Sequence, residues 1–206
     1  MIEPVRTKLF LAPDRVYVEA KIVSLTEKMA DDLILRGWWD EQCLDIPHDQ
    51  PLPIDRYWNW NAMEIEFDGQ ALESERIAVV AGDDGAVQGA MMISSQPVPS
   101  ALDLGKECLF VELLFTAPRN RPNLRKDRSP FLLGVGTELL TWGVQFSREK
   151  GCDGRLRLDG SQDYLPWYER RGLQRLALDP ILFEGNLYTP MELSSSRAQE
   201  ILAQEA

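Results

Sequence analysis

Three glycines interrupt a segment that otherwise reads as helix: Gly134, Gly136 and Gly143 in PFLLGVGTELLTWGVQ, residues 130–145. Each weakens a helix by roughly 0.5–1 kcal/mol relative to alanine. Gly136 and Gly143 are seven apart and share a stripe with Leu132, Leu139 and Phe146, which suits close packing on a sheet. Gly134 stands at the helix entrance. There, unpaired N–H groups and the positive end of the helix dipole attract an anion, and a missing side chain lets a phosphate approach. The preceding loop carries Arg119, Arg121, Arg125, Lys126 and Arg128 against Asp127, five cations less one anion, or +4. The whole chain is at −11, so the remainder is at −15. A solvated loop is also charged, but this local excess favours anion binding. No GK[ST] follows the glycines, so this is not a Walker loop, and the third glycine of a dinucleotide fingerprint is missing.

Other chemistry is limited by the residue inventory. The one histidine, His48, lies in the proline-punctuated loop DIPHDQPLP, and the three cysteines, Cys43, Cys108 and Cys152, form no CxxC pair. That argues against a metal site and against a disulfide framework. An acidic chain disfavours a nucleic-acid partner, because phosphate backbones are held by clustered cations. It suits a cationic or amine-bearing substrate, solubility being the competing explanation. No apolar run approaches the ~20 residues of a membrane span, and the N-terminus lacks a signal-peptide pattern. The expected setting is cytoplasmic, with no membrane partner.

The elements that must position these residues follow from periodicity. Residues 15–24 read as a strand, and Ser24 with Glu27 forms a capping-box pattern opening a helix through Trp39. Prolines break the pattern from Asp40 to Asn61. Two β-prone runs flank GDDG, a hairpin signal. Glu107–Thr116 (ECLFVELLFT) is the strongest strand, with Leu109, Val111, Leu113 and Phe115 on one face and Phe110, Glu112, Leu114 and Thr116 on the other. The glycine-bearing helix is expected from about Pro130 to Lys150. A short strand in GRLRLDG follows, then a short helix stopped by Gly172. Two closing strands end the order, the second (Leu187–Leu193) an edge strand because of Pro190. A strand–helix–strand unit after an antiparallel start implies one parallel crossover. The expected fold class is therefore mixed α/β: a mostly antiparallel central sheet flanked by helices, in a single domain over 1–206, with 195–206 as a frayed tail.

The runs VELLFTAPRNR, FLLGVGTELL and GRLRLDGSQDYLPWYERRGL resemble the core of the GCN5-related N-acetyltransferase (GNAT) superfamily over about Leu109 to Leu176. Members show a strand ending near a hydrophobic-x-Pro step, then Q/R-x-x-G-x-G/A opening a helix, then F-Y-x-x-x-G-F. The matches are FTAP, Phe131 to Gly136, and WYERRGL. The resemblance implies an acyl-CoA N-acyltransferase-like fold and acetyl-CoA as co-substrate, with no metal. Its diphosphate would sit on amides of Leu133, Gly134, Val135, Gly136 and Thr137, with Arg128 of the basic loop alongside. Its pantetheine arm would pair with the strand edge near Phe115 and Thr116.

The resemblance also implies that Tyr168 protonates the departing thiolate and that Glu112 removes a proton from the amine. An apolar strand face would raise the basicity of Glu112; an ion pair to a neighbouring element is the alternative, as a core aromatic is for Tyr168. Phe131 replaces the family's Arg or Gln, Ser161 and Tyr164 replace an Asn and an Ala, and Trp167 replaces a Phe. Trp38, Trp39, Trp58 and Trp60 either wall an acceptor site or fill the core. The expected activity is transfer of acetyl to a primary amine of a small molecule by direct attack. The alternatives are a protein or peptide amine, or a catalytically silent CoA-binding or partner-binding domain. The expected edge strand leaves a homodimer open.

Overall fold

A computed structural model describes residues 1–12, 14–32, 38, 59–82, 85–121, 123–124 and 130–203. In chain order the elements are β1 (Val5–Ala12), β2 (Val16–Ser24), α1 (Glu27–Asp32), β3 (Ile65–Phe67), β4 (Gln70–Leu72), β5 (Ser74–Ala81) and β6 (Ala86–Ser94). Then come β7 (Val98–Pro99), β8 (Glu107–Thr116), β9 (Phe131–Leu133), α2 (Val135–Glu149), β10 (Leu156–Ser161) and α3 (Leu165–Arg170). The chain closes with β11 (Gln174–Arg175), β12 (Ile181–Phe183), β13 (Asn186–Leu193) and α4 (Ser195–Ala203).

Hydrogen bonding orders the main sheet β11-β13-β10-β8-β6-β5-β2-β1-β9, with β12 on β13, β7 on β8, and β3–β4 apart as a hairpin. β8 and β10 run parallel, joined through α2, whereas the pairings at both flanks are antiparallel. This is a mixed, mostly antiparallel sheet with helices. Among the described residues no helix is long and apolar enough to cross a membrane. Two compact units interleave along the chain. One comprises Met1–Glu64, Arg76–Met91 and Leu114–Leu139, the other Ile65–Glu75, Met92–Leu113 and Leu140–Ala206.

In the first unit, residues 5–12 form a strand the sequence reading had not assigned. Its register with β2 puts Thr7 opposite Ala20 and Leu9 opposite Val18, and Leu9 is fully buried. The hairpin turn needs Arg15 at φ 58. Helix α1 is capped by Thr26, whose Oγ1 accepts the Met29 N–H at 3.2 Å. Ser24, expected to cap, instead accepts from the Ile2 N–H at 2.8 Å. Trp38 and Trp60 are core residues in edge-to-face contact, and the Trp38 indole donates to the Val87 carbonyl at 3.0 Å. Trp39 and Trp58 lie outside the described residues, as do Cys43 and His48.

The second unit is built on β8 and β10. Arg155 pins their register from both ends of the residue: its carbonyl accepts from the Leu109 N–H at 3.2 Å, and its Nε donates to the Glu107 carbonyl at 2.8 Å. Leu109, Leu156, Leu158, Met191 and Leu193 bury the apolar face. Asp68 and Gly69, both at positive φ, turn the β3–β4 hairpin, a further element beyond the sequence reading although FDGQ carries the Asp-Gly turn signal.

β13 is not an edge strand. It pairs with β10 on one side and with β11 and β12 on the other. Pro190 is tolerated because its carbonyl, accepting from the Leu176 N–H at 2.9 Å, points toward the two-residue β11. The missing N–H would have pointed the same way, so the β10 ladder loses nothing.

Glu192 of β13 is fully buried. It accepts from the Ala101 N–H at 2.8 Å, the Leu102 N–H at 3.3 Å, and the Ser100 hydroxyl. Replacing it with alanine strands these donors, so E192A is expected to lose about 1.5–3 kcal/mol in urea unfolding. A loss within error of zero would mean that water replaces the carboxylate.

Candidate active site

In the first unit the predicted helix entrance is a strand–turn–helix. Residues 131–133, expected as helix, form β9, with Leu11 opposite Leu132 and Phe10 opposite Leu133. Gly134 then turns the chain at φ +94, where an added Cβ would meet only the Leu9 Cδ2 at 3.8 Å. Glycine stands here for its left-handed backbone, not for close packing. The helical ladder begins with the Glu138 N–H donating to the Gly134 carbonyl at 2.9 Å, so the amides of Val135, Gly136 and Thr137 precede it. The Glu138 side chain accepts from the Thr7 hydroxyl. Leu133 and Gly134 are exposed, and Gly136 and Thr137 half-buried.

Close packing does govern a glycine of β6. A Cβ on Gly89 of β6 would stand 2.5 Å from the Val135 Cγ1, 2.9 Å from the Phe115 carbonyl and 3.1 Å from the Leu139 Cδ1. Gly89 thus lets the first turn of α2 lie against the sheet. Of the predicted pantetheine edge, Phe115 packs edge-to-face on Trp60. The Thr116 carbonyl accepts from the Arg121 Nε at 2.8 Å, and the same guanidinium lies over the Phe115 ring. Arg121 is therefore a buried structural cation rather than part of a solvated basic loop. Arg128 lies outside the described residues, with Arg125 and Lys126. A groove of about 540 Å³ lined by Arg6, Glu19, Lys21 and Val80 contains none of the predicted site residues.

In the second unit the parallel ladder of β8 and β10 spans three pairs, from Leu109↔Leu156 to Val111↔Leu158. Both strands continue past it, β8 to Thr116 and β10 to Ser161. Glu112 is the first β8 residue beyond the last pair. It is half-buried, and its carboxyl is pushed up to about 7 by burial, then by the charges of Asp159 and Glu66. Asp159 is itself raised by burial, with Arg157 pulling the other way. The charges that act on Glu112 are two further carboxylates, and these are the residues that the sequence reading missed. A polar Asp159 inside a strand whose Leu156 and Leu158 are core was the available signal.

Tyr168 of α3 is buried, and burial, with Tyr164 and Tyr188 adding, raises its phenol above the usual tyrosine value. It packs on β10 where Gly160 leaves room, an added Cβ there standing 3.3 Å from the Tyr168 Cδ2. Glu112 answers to Asp159 and Glu66, Tyr168 to Tyr164 and Tyr188, so the two groups titrate in different surroundings. Cys108 and Cys152 are fully buried. Burial pushes the Cys108 thiol up to about 12, so it offers no thiolate nucleophile.

No protein-family model matches the chain, and no curated protein matches its sequence. Solved structures do. A structure from Lactobacillus plantarum assigned as an N-acetyltransferase superposes with a TM-score of 0.52 at 14% identity, over 84% of this chain and 97% of the other. An acyl-CoA N-acyltransferase from Pseudomonas aeruginosa gives 0.41 at 14% identity, over 62% and 74%. The PaiA N-acetyltransferase of Thermoplasma acidophilum, in complex with coenzyme A, gives 0.38 at 14%, over 58% and 60%. The chain shares the fold of the Lactobacillus plantarum structure, a mixed, mostly antiparallel sheet flanked by helices, as the resemblance to acyl-CoA N-acyltransferase-like GNAT proteins implies.

Proposed function

We propose that this chain transfers acetyl from acetyl-CoA to a primary amine of a small molecule by direct attack. The amine nitrogen bonds to the thioester carbonyl carbon, and the carbon–sulfur bond breaks. Glu112 takes a proton from the amine, and Tyr168 gives one to the departing thiolate. Glu112 carries this reading: a carboxyl at about 7 is half ionised at neutral pH, where a general base works best. Asp159 and Glu66 favour a cationic acceptor by the same charges that raise Glu112. A raised phenol stays protonated at neutral pH, as a proton donor must. The exposed turn at Leu133–Gly134, followed by the first amides of a 15-residue helix, suits a diphosphate.

The test is a thermal-shift titration with acetyl-CoA followed by an amine panel. Cofactor at a hundred times its Kd is expected to add about 2.7 kcal/mol of stability; no shift at saturation would remove the proposal. Tyr168→Phe keeps the buried ring and deletes the proton. Because a thiolate leaves readily, kcat is expected to fall only about tenfold, below the usual 10²–10⁴-fold of acid–base catalysis, with KM for acetyl-CoA unchanged. A variant as fast as wild type would return Tyr168 to a packing role.

A further inference from the structure

In the first unit a buried side chain ties two separate segments together beside the candidate diphosphate turn. Asn120 ends the short 3-10 turn Pro118–Asn120 that follows β8, and it is 8% exposed. Its Oδ1 accepts the Leu132 N–H of β9 at 2.8 Å. Its Nδ2 donates to the Gln88 side-chain Oε1 at 3.2 Å and lies 3.4 Å from the Gln88 backbone carbonyl. Gln88, 5% exposed, is held in turn by its Nε2 donating to the Ala86 carbonyl at 3.1 Å. The same Gln88 carbonyl accepts the Ala117 N–H at 2.7 Å. The amide orientation of Asn120 is set by its partners, since a flip would face the NH2 toward an N–H and the oxygen toward two oxygens.

β9 is three residues long and pairs with β1 along one edge. On its other edge the Leu132 N–H, two residues ahead of Gly134, donates to Asn120. We infer that Asn120, braced by Gln88, is a positioning residue that sets where the Leu133–Thr137 amides stand and hence how tightly the CoA diphosphate is held. This rests on the proposed CoA binding. A buried, fully satisfied amide fixes one geometry, because each alternative leaves a polar group unpaired.

The experiment compares wild type, Asn120→Ala, Asn120→Asp and Gln88→Ala by calorimetric titration with CoA, alongside thermal unfolding and amide hydrogen exchange at residues 132–135. Asn120→Ala is expected to weaken CoA binding about tenfold and to speed exchange at Leu132. Asn120→Asp keeps an oxygen for the Leu132 N–H, but its other oxygen can donate toward Gln88 only when the carboxyl is protonated, so affinity is expected to recover at low pH and not at high pH. Gln88→Ala removes only the brace and is expected to cost less, about threefold. In an active preparation KM for acetyl-CoA rises while KM for the amine does not. A lowered melting temperature with unchanged CoA affinity in the folded protein makes Asn120 merely structural and overturns the inference. So does equal loss in the alanine and aspartate variants at a pH where the aspartate is protonated. Wild type that binds no CoA overturns the proposed function and this inference together, whereas wild-type binding with unaffected variants overturns the inference alone.

Discussion

Glu112→Gln lowers kcat/KM for amine acetylation by about 10²–10⁴-fold, the usual worth of a positioned general base. The amide is nearly the same size and shape, so affinity for acetyl-CoA stays put. The pH dependence carries the diagnosis. Wild-type kcat/KM rises with pH through about 7 as the Glu112 carboxyl ionises, and the variant loses that limb. If the glutamine variant kept both its rate and the limb near pH 7, another group would be the base. Asp159→Asn is a useful companion, since it removes one of the charges that raise Glu112 and should move the limb to lower pH.

The same shift has a consequence for stability. A carboxyl raised by folding holds its proton more tightly in the native than in the unfolded state. Its stabilising effect is therefore complete below about pH 4 and is lost as pH rises through about 7. Glu112→Gln should be more stable than wild type at pH 8, by on the order of 1–3 kcal/mol after allowing for its partial exposure, and equal to it near pH 4. One substitution thus moves activity and stability in opposite directions, which a general folding defect would not do.

Gly89→Val is expected to be the most damaging single packing change in the first unit. A Cβ alone would overlap the Val135 Cγ1 at 2.5 Å and the Phe115 carbonyl at 2.9 Å. The side chain can rotate, but the backbone oxygen cannot yield cheaply. Valine adds two more carbons against the first turn of α2. A loss of about 3 kcal/mol, at the upper end for overpacking, corresponds to about 6–12 °C in melting temperature for a chain of this size. Because Val135 opens the helix whose first amides are proposed to hold the diphosphate, CoA affinity should fall along with stability. Gly89→Ala should show both effects at smaller size. Valine tolerated within about 1 °C would show that the helix end slides freely, against a fixed amide turn.

Much of the architecture was legible because local pattern and final environment agree. The alternation of ECLFVELLFT became β8, Gly82 and Gly85 of GDDG stand between β5 and β6 with the Gly85 N–H donating to the Gly82 carbonyl at 3.1 Å, and Gly172, at φ +91, ends α3 as a stop signal should. The pause at Gly134 was also legible, as a residue placed for something other than helix. Where local pattern was ambiguous, tertiary partners decided. Residues 131–133 fit the helical stripe of Leu132 and Leu139, yet β1 offers them an edge, and they pair as strand. Pro190 reads as an edge residue until β11 takes up the side on which its N–H is missing. The candidate site divides along the same line. Residue type and spacing singled out Glu112, but its titration near neutrality depends on Asp159 and Glu66, brought from β10 and β3, and on how much water the fold removes. The chain's own order determined which residues had the right chemistry. Only folding determined their desolvation and their charged neighbours, because both are set by segments far away in sequence.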